Sequence, residues 1–209
     1  MQKKNKNKGF TLVELMIVIA ILAILAAIVI FALNPAELFK RARDSQRMSD
    51  LRVLSSAISY YLADSPTPIL DGDANTKCVG GAGSVTIFST ATAPTDIPSS
   101  VNTFTAWTNT TSRDVGGAGW VKINFNSTGS APIGQLPFDP SNSGSGILGT
   151  MYTFACTTVL NYEINTRLES TSYASRMTSD GGDADHVYEV GTSLLILPST
   201  TTNYYPPSS

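Results

Sequence analysis

The chain has 209 residues, with fourteen Lys+Arg against sixteen Asp+Glu, one histidine and two cysteines, which suits one soluble domain with an appendage, or two small domains. Residues 1–53 hold nine of the bases and four of the acids, leaving residues 54–209 at a formal −7. So acidic a stretch lacks the basic face that attracts phosphate, which excludes a general nucleic-acid binder; the lone His186 leaves histidine-based zinc sites and catalytic triads little to draw on.

The chain opens with a short basic run, Lys3, Lys4, Lys6 and Lys8, ending at Gly9. From Phe10 to Leu33 it is then apolar for twenty-four residues, interrupted only by Thr11 and Glu14. At 1.5 Å per residue such a helix spans roughly 36 Å, enough for a bilayer core of about 30 Å. An ordinary secretory signal has a shorter apolar stretch. A plain anchor fits the length but gives no reason for Glu14. A carboxylate at that depth costs about 2.5–3.5 kcal/mol on insertion scales, which makes it a functional residue by default. Bases also follow the span, at Lys40, Arg41, Arg43, Arg47 and Arg52, so charge counting does not orient it.

Lys8-Gly9-Phe10-Thr11-Leu12-Val13-Glu14-Leu15 resembles the prepilin cleavage and methylation motif of type IV pilins and of the pseudopilins of type II secretion and competence systems. The resemblance implies a prepilin peptidase that cuts between Gly9 and Phe10 on the cytoplasmic side and methylates the new α-amine of Phe10. It also gives Glu14 a partner. A carboxylate in an apolar bundle needs a cation, and the freed Phe10 amine of a neighbouring copy supplies one, setting the register between otherwise uniform helices.

Past the span, Met48, Leu51, Leu54, Ile58 and Tyr61 recur at three- and four-residue steps and mark an apolar stripe on a helix to about Ala63. Residues 10–63 would together make a rod of roughly 80 Å, bent or locally opened at Asn34-Pro35 because proline lacks an N–H donor. Asp64-Ser65-Pro66-Thr67-Pro68 ends it. Short apolar runs bounded by turn residues follow. Val85–Phe88, Trp120–Phe125, Met151–Ala155, His186–Val190 and Leu194–Leu197 read as strands, and Asn161–Glu169 as a strand or a short helical piece. The expected fold is α+β, a long N-terminal helix packed on a C-terminal antiparallel sheet, which is also the architecture the resemblance implies. The expected segments are a leader at 1–9, an assembly helix at 10–33, its amphipathic continuation at 34–64, a β-rich extracytoplasmic domain at 65–197 and a Ser/Thr/Pro-rich tail at 198–209.

Translocation, as the resemblance implies it, puts Cys78 and Cys156 in an oxidising compartment, where they are expected to bond to each other; two separate buried thiols are the alternative. Several motifs fail on inspection. Gly144-Ser145-Gly146-Ile147-Leu148-Gly149 lacks the flanking strand and helix of a dinucleotide site. Asp71-Gly72-Asp73-Ala74-Asn75 begins like a calcium loop, but Thr76 stands where the glycine is needed. Asp180-Gly181-Gly182-Asp183-Ala184-Asp185 reads as a solvated turn. Major pseudopilins bind calcium in a comparable late loop, so Asp180, Asp183 and Asp185 are the calcium candidates, and no cofactor is otherwise expected. Leu136-Pro137-Phe138-Asp139-Pro140 reads as a turn and is similar to a segment of major pseudopilins and related short pilins.

The function this implies is structural: a filament subunit, with no enzyme activity, made as a single-pass precursor in the cytoplasmic membrane and then assembled at the cell surface. Its partners would be copies of itself, prepilin peptidase and the pilus or secretion assembly machinery, with no nucleic acid. The alternatives are a pseudopilin and a signal-anchored binding module that never polymerises.

Overall fold

A computed structural model of the chain describes residues 9–91, 105–142 and 150–197. The Lys leader, the glycine run at 144–149 and the tail at 198–209 lie outside the described residues. Two compact units divide at Phe39 and Lys40.

The first unit contains α1, Leu12–Leu33. The helix is capped at its start by Thr11 and ends at Asn34, which takes a left-handed conformation at φ 41°. Asparagine tolerates that region better than most residues. A second helix, α2, starts with Pro35 and runs to Asp64. Proline suits a first helical position, where its missing N–H would be unpaired anyway. The rod expected over residues 10–63, bent or locally opened at Asn34-Pro35, is in the structure two helices interrupted at Asn34.

In the second unit, the stripe Met48, Leu51, Leu54, Ala57, Ile58 and Tyr61 of α2 is buried against a five-stranded sheet. The strands are β1 (Thr86–Ser89), β2 (Ala106–Asn109), β3 (Tyr152–Cys156), β4 (Tyr162–Thr166) and β5 (Tyr188–Gly191). Their order is β2-β1-β3-β4-β5. Pairing is antiparallel except between β1 and β2, which run parallel. Alternate residues of a strand face opposite sides. On one face Phe88, Tyr152, Phe154, Cys156, Tyr162 and Ile164 meet α2. On the other, Val85, Ile87, Met151 and Ala155 are covered by Val187, Ile196 and Leu197. Both faces of the sheet are therefore dry. Tyr hydroxyls tie the sheet to the helix: Tyr162 Oη meets Ser55 Oγ at 2.8 Å, and Tyr152 Oη donates to Asp50 Oδ2 at 2.8 Å.

Two expected strands are absent, and one strand was not expected. In Trp120–Phe125 the apolar residues Trp120, Val121, Ile123 and Phe125 are buried, but the segment forms turns; Phe125 N–H goes to Val115 O at 2.8 Å and opens a short 3-10 helix, Phe125–Thr128. Leu194–Leu197 does not pair with a strand, because the Ile196 and Leu197 N–H groups donate to the Glu163 carboxylate at 2.7 and 3.0 Å. The unexpected strand, β2, is short and follows a Ser/Thr/Pro-rich stretch. Asn161–Glu169 resolves as a strand, β4, with an irregular continuation.

Cys78 and Cys156 form a disulfide, with S–S at 2.05 Å and a sequence separation of 78 residues. It ties the loop after α2 to the end of β3. Closing a loop of that size contributes about 4–5 kcal/mol in the chain-entropy model. Reduction, or a Cys78→Ser/Cys156→Ser pair, is expected to lower stability by roughly 2–5 kcal/mol in urea titrations. Identical melts with and without reductant would contradict this.

Candidate functional site: the head of α1 and the base of α2

Gly9 and Phe10 precede the first helix and are exposed, Phe10 at 86%. A protease needs an extended substrate, and the helix begins only after the Gly9–Phe10 bond. Thr11 and Glu14 set that boundary through a reciprocal capping box. The Glu14 N–H donates to Thr11 Oγ1 at 3.2 Å, while Glu14 Oε2 accepts from the Thr11 N–H at 2.9 Å and its hydroxyl at 2.8 Å. Two backbone donors left over at a helix start are satisfied this way. Glu14 therefore does local work within its own chain, a role the sequence reading did not assign. Its carboxylate keeps further lone pairs for an incoming cation.

Beyond Glu14 the helix offers nothing but hydrocarbon. The large side chains from Leu15 to Ile30 stand 47–63% exposed. Leu12–Ile30 is long and apolar enough to cross a membrane.

At the base of α2 stands a cluster that was not anticipated. Asp44 and Arg47 share the buried face with the apolar stripe, three residues apart. The Arg47 side chain is wholly buried and uses all five of its donors. Nε and Nη2 grip Asp139 at 2.7 and 3.0 Å, Nη1 reaches Asp44 and Glu169 at 2.7 Å each, and Nη2 also donates to Ser141 Oγ at 2.6 Å. Arg43 adds a second grip on Glu169 at 2.7 Å. Burial alone would lower the Arg47 pKa, but its carboxylate partners outweigh that and raise it. The same guanidinium, against the opposing pull of burial, holds Asp139 below the usual carboxylate range; Arg43 and Arg47 together do the same for Glu169. The Leu136–Pro140 turn thus carries a buried ionic anchor. The signal available in the sequence was the placement of Asp44 and Arg47 in phase with Met48 and Leu51.

The remaining candidates fall into place as turns. Asp71 Oδ1 accepts from the Asp73 and Asn75 N–H groups at 2.8 Å each, and Oδ2 from Lys77 N–H at 2.6 Å, so this carboxylate locks a loop. Asp180 accepts from the Gly182 and Glu189 N–H groups at 3.0 and 2.9 Å. Asp183 and Asp185 are exposed. Among the described residues no group of three or more acidic, His or Cys side chains is arranged to hold a metal ion. His186 is half-buried, and burial together with the nearby Arg167 lowers its pKa.

Comparison with known proteins finds similarity over part of the chain. Residues 4–30 match the family model described as the prokaryotic N-terminal methylation motif. The type IV major alpha-pilin of Moraxella bovis is 38% identical over 73 residues, 35% of this chain and 45% of the relative. The type IV major fimbrial protein FimA of Dichelobacter nodosus is 40% identical over 82 residues, 39% of this chain and 46% of the relative. Fimbrial protein Q of Moraxella bovis is 39% identical over 71 residues, 34% and 44% of the two chains. The match thus spans a little under half the length of these curated relatives. No solved structure matches. The chain carries the N-terminal methylation motif of prepilins, and its fold is α+β and pilin-like. Type IV pilins are a structural, non-enzymatic class.

Proposed function

We propose that the chain is the structural subunit of a type IV pilus-like surface filament, processed by prepilin peptidase and polymerised through α1. The observation that carries this is the combination at one helix head: an exposed Gly9–Phe10 junction, a single acid at Glu14, and an apolar helix whose large side chains stand exposed among the described residues. In water such a helix is untenable. In a bilayer, and then in a bundle of its own copies, it is satisfied. The precursor would sit in the cytoplasmic membrane, and adhesion, motility or DNA uptake would follow from the assembled fibre. The pilus and fimbrial names of the relatives favour a pilus over a secretion pseudopilus. Long surface fibres in electron micrographs are expected; short periplasmic fibres alone would favour the pseudopilus.

The direct test is mass spectrometry of the mature protein, expected to begin with N-methylated Phe10. An intact lysine leader on protein from cells would overturn the reading in favour of a plain anchor. Glu14 allows a sharper test. Glu14→Gln keeps the capping box, since glutamine serves at that position, but removes the charge. Assembly is expected to fail in Glu14→Gln as in Glu14→Ala if the carboxylate pairs with a neighbour's Phe10 amine. Normal fibres from Glu14→Gln would reduce the residue to a helix cap.

Calcium is not part of this reading, because Asp180 is already engaged by backbone donors. The melting temperature is expected to be unchanged by calcium. A rise that disappears in Asp183→Ala would reinstate the ion.

A further inference from the structure

The globular unit is acidic, and residues 54–209 contain only five bases, Lys77, Arg113, Lys122, Arg167 and Arg176. Two of them, Lys77 and Lys122, lie near enough to interact, and their repulsion adds to burial in holding the Lys122 ammonium below the usual lysine range. Like charges drawn together in an acidic domain are a local cost that an anion would relieve. Lys77 has a partner, Asp73, at 3.5 Å. Lys122 has no hydrogen bond or ion pair among the described residues.

Lys122 lines a groove of about 400 Å³ between the end of α2, the loop that follows it and the segment up to Ser127. That volume lies within the range of small-ligand sites, about 300–1,000 Å³. Three further donors line it with no hydrogen bond among the described residues: the Ser65 and Thr67 hydroxyls and the Asn124 side-chain N–H groups. Pro66 and Ile69 give it an apolar wall. The walls are built rather than loose. Tyr61 Oη accepts the Ile69 N–H at 2.9 Å, and Asp71 locks the following turn onto three backbone N–H groups. Gly72, at φ +74°, brings its backbone against Lys122, where an added Cβ would lie 3.2 Å from the Lys122 carbonyl oxygen.

We propose that this groove binds a monoanionic saccharide, with the Lys122 ammonium receiving the sugar carboxylate and Ser65, Thr67 and Asn124 donating to its hydroxyls. One unpaired cation in the groove matches one negative charge. The apolar wall suits the C–H face of a pyranose ring, and the neutral donors have no use for a bare ion. The site lies within residues 61–127 and does not depend on polymerisation, so its failure leaves the filament reading untouched.

The test is saturation-transfer NMR on the full chain in detergent micelles, with D-glucuronate, D-glucose and inorganic phosphate as probes. Glucuronate is expected to bind with a dissociation constant on the order of 1 mM, and glucose about tenfold more weakly. Lys122→Gln should weaken glucuronate by about tenfold, while Lys122→Arg, which keeps the charge and controls for folding, stays within about threefold. Equal binding of glucose and glucuronate, full displacement of glucuronate by equimolar phosphate, unchanged binding in Lys122→Gln, or no glucuronate signal would each overturn the proposal.

Discussion

Arg47→Ala is expected to destabilise the globular unit by roughly 3–5 kcal/mol, the cost of breaking a buried ion pair from one side. For a chain of this size that lowers the melting temperature by about 10 °C. The size of the loss follows from what the substitution leaves behind. Asp44 and Asp139 are buried with their side chains wholly covered, and neither can swing out to water. Asp44 is fixed by the N–H groups of Glu169 and Ser170, at 3.0 and 2.7 Å, and Asp139 by those of Ser141 and Asn142 at 2.9 Å each. Removing the guanidinium therefore strands two carboxylates that the backbone holds in place. Arg176→Ala is the control, an exposed base on α3 (Ala174–Met177), where a loss within about 0.5 kcal/mol is expected. Equal losses for the two variants would show that the cluster adds nothing to stability. The arrangement also has an acid signature. Asp139 and Glu169 titrate below the usual carboxylate range in the folded chain. Their contribution is complete above the unfolded values and is lost as pH falls through the folded ones.

The sequence revealed the parts of this molecule whose signal is local. The apolar run of α1 and the three- and four-residue spacing along α2 report a helix period, because each residue's neighbours are fixed by the helix itself. Strands β1, β3 and β5 could be placed to within a residue or two, since β-branched and aromatic residues cluster between glycine and serine turns. What stayed hidden depends on groups distant in sequence. Trp120–Phe125 has a strand's composition, yet its backbone is claimed by Ser112 and Val115. Ile196 and Leu197 look like a strand end, but their N–H groups are taken by a glutamate 33 and 34 residues earlier. Arg47 looked like one of several bases flanking a membrane span. Only the fold brings Asp139 and Glu169 to it, 92 and 122 residues further on. At the N-terminal site the Gly9–Glu14 string carried its meaning locally. The capping box could have been seen there too, as a threonine followed three residues later by glutamate.

Glu163 and Glu189 make the second large effect, and it appears on the alkaline side. They lie on β4 and β5 and are 0% and 2% exposed. Glu163 Oε1 and Glu189 Oε1 are buried with no N–H or hydroxyl donor. Burial and the Glu163 carboxylate push Glu189 up to about 9, and burial also raises Glu163. The pair therefore keeps one proton at neutral pH, shared in a bond between the two carboxyl groups. An unfolded glutamate has lost its proton above pH ~5, so between there and about pH 9 the folded state binds more protons. Stability must then fall as pH rises through that window, by about 1 kcal/mol per pH unit. His186, with its lowered pKa, works in the opposite sense but is neutral in both states above pH ~7. Melting temperatures measured from pH 7 to 9 are thus expected to decline in the wild type. Glu189→Gln, which can still donate an N–H to Glu163 but cannot ionise, should flatten the profile. As the pair ionises, the repelled Glu163 side chain loosens its hold on the Ile196 and Leu197 N–H groups, so amide exchange at those two positions should accelerate first. A wild-type profile that is level over this window, or one that Glu189→Gln reproduces in full, would mean that the two glutamates share no proton.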